Sequence, residues 1–178
     1  MKCLAKRCVA SIVIAFIGFL LLAAVCYLIG ARINTTRSIP VGLYWISNAP
    51  IERDAYIIFC PPQISVFDEA KKRGYIGAGF CPGGYGYMMK RVAAMKDDAI
   101  LFAEQGVYVN GKLLPFSAFI RVDNNGYPLP RYQSSQLTLG NYEVLLMSDV
   151  SSTSFDGRYF GPINLSQIRS VIRPVFTW

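Results

Sequence analysis

The sequence contains no histidine among its 178 residues. Without an imidazole, a Ser-His-Asp or Cys-His catalytic mechanism is excluded, and so are most zinc sites. Any serine or cysteine nucleophile in this chain must therefore use another side chain as its base. Lysine is the leading candidate, because burial lowers the pKa of its amine toward the range in which it can accept a proton.

The chain also lacks a concentrated patch of charge. It has 18 Lys and Arg residues against 11 Asp and Glu, a formal net charge of +7, and the basic residues are scattered along the sequence. A nucleic-acid surface is typically a cluster of Lys and Arg interleaved with aromatic residues, which this sequence does not show. The composition therefore predicts that nucleic acid is not a partner.

Charged residues are missing altogether from a long segment, residues 8–31. As an α-helix it would be about 36 Å long, which exceeds the roughly 30 Å of a hydrocarbon core. A cleaved signal peptide has a shorter apolar region of about 7 to 15 residues, and a lipoprotein cleavage site fits poorly because Val25 stands where a small residue is expected before Cys26. We therefore predict a transmembrane anchor over residues 8–31.

The charges before this segment predict its orientation. Residues 1–7 carry Lys2, Lys6 and Arg7, and positive charge is retained on the cytoplasmic side of a membrane. The N-terminus is therefore expected in the cytoplasm of a bacterium, with the anchor in the inner membrane. Residues 32–178 are then expected to form one periplasmic domain.

Only two of the five cysteines, Cys60 and Cys81, lie beyond the N-terminal segment. An oxidising compartment such as the periplasm favours a disulfide between them, which would close a loop of about 20 residues. The alternative is a pair of small buried thiols. Two sulfurs without an imidazole do not complete a metal shell, so we expect no metal and no other cofactor.

The stretch Thr35–Tyr44 follows the anchor and places a serine before an Ile-Pro pair. Pro40 fixes its own φ and pushes Ile39 toward extended geometry, and Gly42 permits a close approach to neighbouring backbone. These features favour a stiff, exposed turn that presents the hydroxyl of Ser38 as a nucleophile. The alternative is an ordinary loop serine beside a turn proline.

The position of Ser38 also bears on its substrate. The residue is six positions beyond Arg32, and a fully extended link of that length spans only about 20 Å. A reactive serine so close to the bilayer suits a substrate that is itself anchored in the membrane.

Beyond the serine, the pattern is that of a mainly β domain. Short apolar runs at residues 43–46, 55–59 and 142–147 are bounded by turn residues and are typical of strands. Asn110-Gly111 predicts a type I′ hairpin turn, and Asp123–Gly126 predicts a second turn.

One small helix is predicted between these strands. Ser65 as N-cap with Asp68 forms a capping box, basic residues fill the last turn, and Gly74 provides the C-terminal stop.

A second chemically relevant run contains Lys90. If this run is a strand, Lys90 shares a face with Met88, Val92 and Ala94, while Arg91 points to the opposite side. An ammonium in such apolar surroundings is desolvated, so its pKa falls from an ordinary value of about 10.4 toward the range of a general base. The alternative is an edge-strand lysine that protects against aggregation.

Three stretches together resemble the signature boxes of the type I signal peptidases. The last box of that family reads Met-Gly-Asp-Asn, then variable positions, then Ser-x-Asp-Ser-Arg-Tyr-Trp-Gly. This chain keeps, without a gap, the positions Met147, Asp149, Ser154, Asp156, Arg158, Tyr159 and Gly161. The run Ser38-Ile39-Pro40 resembles the Ser-Met-x-Pro box in shortened form, and Lys90-Arg91-Val92 resembles the Lys-Arg box.

The resemblance implies a Ser-Lys dyad on a signal-peptidase-like antiparallel β domain with one small helix, preceded by an N-terminal transmembrane helix. Ser38 corresponds to the nucleophile and Lys90 to the general base. Thr36 matches the position whose hydroxyl joins the Ser38 N–H in the oxyanion hole.

Four further positions correspond to supporting groups in that family. Ser154 matches the hydroxyl that orients the lysine amine. Asp156 and Arg158 match an ion pair that shapes the loop, and Asp149 is expected to give similar support.

In the features that depart from the general family pattern, the chain is similar to the conjugative transfer signal peptidases of the TraF type. The resemblance rests on Ser38–Tyr44, the single anchor and the cysteine pair around the helix. It implies a membrane-anchored pilin precursor as substrate and an acyl-enzyme resolved by the pilin's own N-terminus, giving a cyclic pilin. Components of a mating-pair or type IV secretion apparatus are implied as further partners.

Two alternatives remain open at this point. A housekeeping signal peptidase I would share the dyad and resolve the acyl-enzyme with water. A non-enzymatic envelope protein would instead serve as a scaffold for a secretion channel.

Overall fold

The structure is a computed structural model that describes residues 2–132 and 134–178. It divides into two compact units, one ending at Arg32 and the other spanning Ile33–Trp178. The first unit contains helix α1 (Lys2–Leu28), whose segment Ser11–Leu28 is long and apolar enough to cross a membrane. The predicted N-terminal apolar helix is therefore confirmed.

Helix α1 ends earlier than the predicted span. Its last residue is Leu28, whereas the sequence predicted a segment that continues to Ala31. Gly30 has a φ of 118°, a conformation that side chains disfavour, and Ala31 begins strand β1 (Ala31–Asn34). The predicted boundary came from the absence of charged residues up to Ala31. The helix itself ends at Leu28, just before the backbone turns at Gly30.

The second unit consists mainly of short strands. Those after β1 are β2 (Gly42–Ser47), β3 (Tyr56–Phe59), β4 (Ala78–Cys81), β5 (Met88–Ala94), β6 (Ala99–Ala103), β7 (Gly106–Val109), β8 (Lys112–Leu113), β9 (Gln136–Thr138), β10 (Glu143–Met147), β11 (Ile163–Asn164) and β12 (Ile168–Thr177). A seven-stranded sheet has the order β1-β2-β12-β3-β5-β10-β11, and a four-stranded sheet has the order β8-β7-β6-β9. The registered pairs in both sheets are antiparallel, which confirms the predicted fold class.

Strand β5 lies near the middle of the larger sheet and alternates as predicted. Met88, Lys90, Val92 and Ala94 are buried on one face, while Arg91 on the other face is partly exposed. Because β5 pairs with β3 on one side and β10 on the other, it is not an edge strand. The interpretation of Lys90 as an edge-strand lysine is therefore wrong.

The main core covers the face of the sheet on which Lys90 lies. It includes Ile57, Val92 and Leu146 from the strands and Phe67 from helix α2 (Ser65–Lys72). Phe67 also packs against Phe155 and Phe160 from the polar loop after β10, with ring centroids 6.1 and 4.9 Å away. Full burial of one such aromatic ring stabilises the fold by roughly 1.5–3 kcal/mol, so the loop is part of the core.

The predicted capping box of helix α2 is wrong, although the helix itself is confirmed. The N-cap position is Ile64, which makes no side-chain cap hydrogen bond, and Ser65 is already helical. Asp68 instead accepts a hydrogen bond from the hydroxyl of Tyr85. The predicted stop at the C-terminal end of the helix is confirmed, since Gly74 follows the last turn with a φ of 77°.

A second short helix was not predicted. Helix α3 (Gly157–Phe160) is a single turn within the loop after β10, and the side chain of Asp156 caps it by accepting from the backbone N–H of Arg158. Four residues provide too little periodicity for a helix to be recognised in the sequence.

The hairpin turns lie where the sequence predicted them. Asn110 and Gly111 have φ values of 51° and 80°, as a type I′ turn between β7 and β8 requires. The N–H of Gly126 donates to the carbonyl oxygen of Asp123 at 3.0 Å, which closes the second turn.

Cys60 and Cys81 form a disulfide, with an S–S distance of 2.03 Å and a sequence separation of 21. The bond links the end of β3 to the end of β4 and encloses helix α2. Both residues are buried in the main core, together with Phe67.

Replacing both cysteines by serine should lower the free energy of unfolding by about 3 kcal/mol, since a closed loop of this length restricts the unfolded chain. Urea unfolding of the full chain in detergent micelles measures the change. The wild-type protein treated with reductant should approach the stability of the Cys60→Ser/Cys81→Ser variant, which itself should not respond to reductant. Equal stability of the variant and the oxidised wild type would contradict the prediction.

Candidate active site

Ser38 lies in the turn between β1 and β2 and is half-buried. Its neighbour Ile39 is fully buried in a cluster with Tyr44 and Ile172. The hydroxyl of Tyr44 donates to the carbonyl oxygen of Pro40 at 2.6 Å. These contacts fix the turn on its core side and leave the hydroxyl of Ser38 directed away from the cluster that holds Ile39.

Gly42 allows the backbone of strand β12 to approach closely, as the sequence predicted. A Cβ atom on Gly42 would lie 2.2 Å from the carbonyl oxygen of Phe176 and 2.8 Å from the Cα of Thr177. Gly42 pairs with Thr177 of strand β12, so any side chain here would force the two strands apart. The start of β2 is therefore fixed directly after the turn that carries Ser38.

Lys90 comes from β5 and reaches the same point. Its Nζ lies 2.9 Å from Ser38 Oγ and 2.6 Å from Ser154 Oγ. The side chain is 1 % exposed, and Ile57 of β3 is its directly paired neighbour. The structure thus brings Ser38, Lys90 and Ser154 within hydrogen-bonding distance through one nitrogen atom.

Burial lowers the pKa of Lys90 to about 8. The main cause is desolvation of the ammonium, while the negative charge of Asp156 acts in the opposite direction and the positive charge of Arg158 lowers the pKa further. A substantial fraction of the amine is therefore neutral at mildly alkaline pH, and a neutral amine can accept the proton of Ser38.

Asp156 and Arg158 form a fully buried ion pair, with Arg158 Nε 2.7 Å from Asp156 Oδ1. Arg158 also donates to three backbone carbonyl oxygens, those of Ala118, Ser152 and Ser154. Asp156 in turn accepts from the backbone N–H of Ser148. The pair therefore fixes the loop from residue 148 to 158 and with it the position of the Ser154 hydroxyl.

Thr36 lies on the other side of Ser38. Its hydroxyl oxygen is 3.3 Å from Ser38 Oγ and 3.0 Å from Asn34 Oδ1. Thr36 is exposed and lines the same cleft as Ser38.

Asp149 is the one predicted site residue that the structure does not bring to the others. Its Oδ2 accepts from the hydroxyl of Tyr56 at 2.6 Å, on the face of the sheet opposite Lys90. Burial is the main cause that raises the pKa of Tyr44 to about 12, and the charge of Asp149 adds to it. Asp149 therefore links the loop after β10 to β3.

Asn34 is a residue that the sequence analysis missed. It is the last residue of β1, is 3 % exposed, and makes hydrogen bonds within the turn that carries Ser38. Asparagine commonly bonds to backbone a few residues further along in turns, so its place just before the Ser-Ile-Pro stretch was an available signal.

Ser38 and Lys90 line a cleft of about 400 Å³. Apolar side chains of the cleft include Ile33, Tyr87, Met88 and Phe155, and backbone around Gly77 forms another part of its wall. Among the residues that the structure describes, no group of three or more Cys, Asp or Glu side chains could hold a metal ion. The chemistry available in the cleft is that of a hydroxyl beside a buried amine.

Comparison with known proteins gives the following matches. The family described as signal peptidase, peptidase S26, matches residues 2–178. A plasmid transfer protein TraF from Escherichia coli is 70% identical over 173 residues, covering 97% of each chain. A conjugal transfer protein TraF from Agrobacterium tumefaciens (strain 15955) is 35% identical over 151 residues, covering 84% of each chain.

A solved structure is also similar to this chain. It is a signal peptidase I from Enterococcus faecalis V583, with 18% sequence identity and a TM-score of 0.42. The match covers 71% of this chain and 100% of the solved chain.

The variant Lys90→Met should be more stable than the wild type at neutral pH. The shift of the Lys90 pKa from 10.5 to about 8 corresponds to about 3 kcal/mol of destabilisation while the amine is charged in the unfolded chain. Since the folded-state pKa is lowered, this penalty is complete below about pH 8 and disappears as the pH rises through 10.5. Urea unfolding of the full chain at several pH values measures the difference.

The same substitution at the exposed Lys112 of β8 is the control, and its effect should stay within about 0.5 kcal/mol at every pH. A Lys90→Met variant that is less stable than the wild type at neutral pH would contradict the prediction.

Proposed function

The chain belongs to the signal peptidase family, peptidase S26, and from this premise we propose that it is a membrane-anchored serine endopeptidase with Ser38 as nucleophile and Lys90 as general base. The observation that carries the proposal is the 2.9 Å distance between Lys90 Nζ and Ser38 Oγ at a lysine that is 1 % exposed. A hydroxyl needs an adjacent base to become a good nucleophile, and this chain has no histidine for that role.

The first half-reaction forms an acyl-enzyme. Ser38 Oγ attacks the carbonyl carbon of the scissile bond while its proton passes to the neutral amine of Lys90. The resulting ammonium gives this proton to the leaving nitrogen as the C–N bond breaks. The product is an ester on Ser38, with Lys90 again neutral.

Ser154 has a defined part in this sequence. A neutral amine has one lone pair, which must face the Ser38 hydroxyl for proton transfer. With Ser154 Oγ 2.6 Å from Nζ, an N–H of Lys90 can donate to that oxygen, which turns the lone pair toward Ser38. The buried pair of Asp156 and Arg158 supports this geometry through the hydrogen bond of Arg158 to the Ser154 carbonyl oxygen.

The oxyanion of the tetrahedral intermediate needs donors on the other side of Ser38. The backbone N–H of Ser38 and the hydroxyl of Thr36 are the groups proposed here. Loss of one such donor typically reduces kcat by about 10²–10³-fold. The position of Thr36 Oγ1, 3.3 Å from Ser38 Oγ, supports this assignment.

We propose a membrane-anchored pilin precursor of a conjugative transfer system as the substrate. Relatives that are 70% and 35% identical carry the names plasmid transfer protein and conjugal transfer protein TraF, which supports a role in conjugation. In this proposal the pilin's own N-terminal amine attacks the ester on Ser38, Lys90 takes up the amine proton and returns it to Ser38 Oγ, and the product is a cyclic pilin. Water in place of the amine would give a linear product.

The location in the cell follows the same reasoning. The apolar segment Ser11–Leu28 supports anchoring in a membrane, and the positive charges of Lys2, Lys6 and Arg7 favour a cytoplasmic N-terminus. The catalytic domain would then face the periplasm from the inner membrane, where components of the transfer apparatus would be its neighbours.

The value of kcat/KM should rise about tenfold per pH unit below about pH 8 and become constant above it. The reason is that only the neutral amine of Lys90 can accept the proton of Ser38. Initial rates of precursor cleavage by the full chain over this pH range measure the profile. A rate that is independent of pH would exclude Lys90 as the base.

The mass of the processed pilin should distinguish the proposed reactions. With the wild-type chain, the intact product should be one water lighter than the trimmed linear pilin, because an internal amine replaces water in the second half-reaction. The variant Ser38→Ala should leave the precursor unprocessed, and Ser166→Ala, at an exposed serine near β12, should process it normally.

Other outcomes favour the alternatives. A trimmed linear product would indicate a hydrolytic signal peptidase. If Ser38→Ala still processed the precursor, the nucleophile assignment would be wrong. An unprocessed precursor in both the wild type and Ser38→Ala would favour the scaffold.

A further inference from the structure

Asn34 is placed at the base of the turn that carries Ser38. Its Nδ2 donates to three carbonyl oxygens, those of Thr36 at 2.7 Å, Ile39 at 2.9 Å and Pro40 at 3.0 Å. An amide nitrogen has two N–H groups, so three acceptors share them. These acceptors lie on both sides of Ser38 in the sequence, and one side chain therefore ties together the two ends of the turn.

The other end of the same amide holds Thr36. Asn34 Oδ1 accepts from the backbone N–H of Thr36 at 3.2 Å and from its hydroxyl at 3.0 Å. The orientation of the amide follows from its partners, since a rotated amide would place Oδ1 against three carbonyl oxygens. With Asn34 only 3 % exposed, water does not compete effectively for these hydrogen bonds.

The hydroxyl of Thr36 has a single proton and two neighbouring acceptors. Asn34 Oδ1 is 3.0 Å away and Ser38 Oγ is 3.3 Å away. In the resting enzyme the shorter contact favours donation to Asn34, which fixes the oxygen of Thr36 beside the cleft. A small rotation of the hydroxyl then directs the proton toward negative charge that develops on the substrate.

We propose that Asn34 is a positioning residue that sets the geometry of Ser38 and of the Thr36 hydroxyl for the reaction. The inference rests on the proposed function in one respect, namely that Ser38 is the nucleophile and Thr36 an oxyanion donor. Asn34 contacts neither Ser38 Oγ nor the scissile bond in this scheme, and it acts through the backbone of the turn and through Thr36.

The isosteric variant Asn34→Asp tests this role. A carboxylate has the same shape but no N–H, so it loses three donated bonds and places negative charge against carbonyl oxygens. A displacement of reacting groups by about 1 Å can reduce the rate about 10²-fold. We expect kcat to fall about 10²-fold with KM unchanged, because the substrate contacts remain in place.

The full chain in detergent micelles is assayed in two ways. The first is processing of the pilin precursor. The second is acylation of Ser38 by a penem, a strained β-lactam, followed as an increase in the intact mass of the chain. In this reaction Ser38 Oγ bonds to the lactam carbonyl carbon, the ring C–N bond opens, and the proton passes through Lys90 to the released nitrogen. Acylation by the penem does not depend on which protein is the natural substrate.

Asn110→Asp is the matched control. It removes an amide donor to Asp98 in the smaller sheet, and Asn110 does not line the cleft. We expect Asn110→Asp to lower Tm and leave the acylation rate unchanged, whereas Asn34→Asp should slow acylation about 10²-fold. The double variant Asn34→Asp/Thr36→Val should be slowed by less than the product of the two single effects, since both changes act through the same hydroxyl.

The inference is overturned if Asn34→Asp is acylated at the wild-type rate, or if Asn110→Asp slows acylation to the same extent. It is also overturned if KM rises while kcat is unchanged, since the effect would then lie in substrate binding. If the penem results are as expected but the wild-type chain leaves the pilin precursor intact, the proposed substrate is wrong and the role of Asn34 is upheld.

Discussion

The site depends on the burial of a single lysine in an apolar core. Lys90 is 1 % exposed on the face of β5 that also carries Val92, and desolvation lowers its pKa to about 8. Holding a charged ammonium there destabilises the fold, and the same desolvation favours the neutral amine, the form that can act as a base. A charged lysine in water could not remove a proton from a serine hydroxyl at neutral pH, so the surrounding strands create the reactivity that the residue alone lacks.

A second constraint is the ion pair buried behind the lysine. Asp156 and Arg158 are both fully buried, and their opposite charges have opposing effects on the pKa of Lys90. The pair therefore contributes mainly geometry. Arg158 donates to the carbonyl oxygens of Ser152 and Ser154 in the loop and to that of Ala118 outside it, and so holds the hydroxyl that contacts Lys90. The loop is rigid because a buried guanidinium with missing acceptors would be strongly destabilising.

The turn that carries Ser38 is held independently of Lys90. The turn that carries Ser38 is fixed by the hydroxyl of Tyr44 from β2, by the amide of Asn34 from β1, and by the close approach of Gly42 to strand β12. These contacts come from three strands at one side of the larger sheet, whereas Lys90 comes from β5 near its middle. Ser38 and Lys90 are thus held by two different parts of the sheet that meet at a 2.9 Å contact, which is the geometry that the proposed proton transfer needs.

The sequence by itself determined what depends on local pattern. The absence of histidine left lysine as the candidate base, period-two alternation placed Lys90 on an apolar face, and Asn110-Gly111 marked a hairpin. Tertiary structure decided the rest, because contacts between distant residues leave no local pattern. Ser38 and Lys90 are 52 residues apart, and Asp149 pairs with a tyrosine 93 residues away on the face opposite Lys90. The sequence could supply a hydroxyl and an amine, but only the fold sets the distance between them.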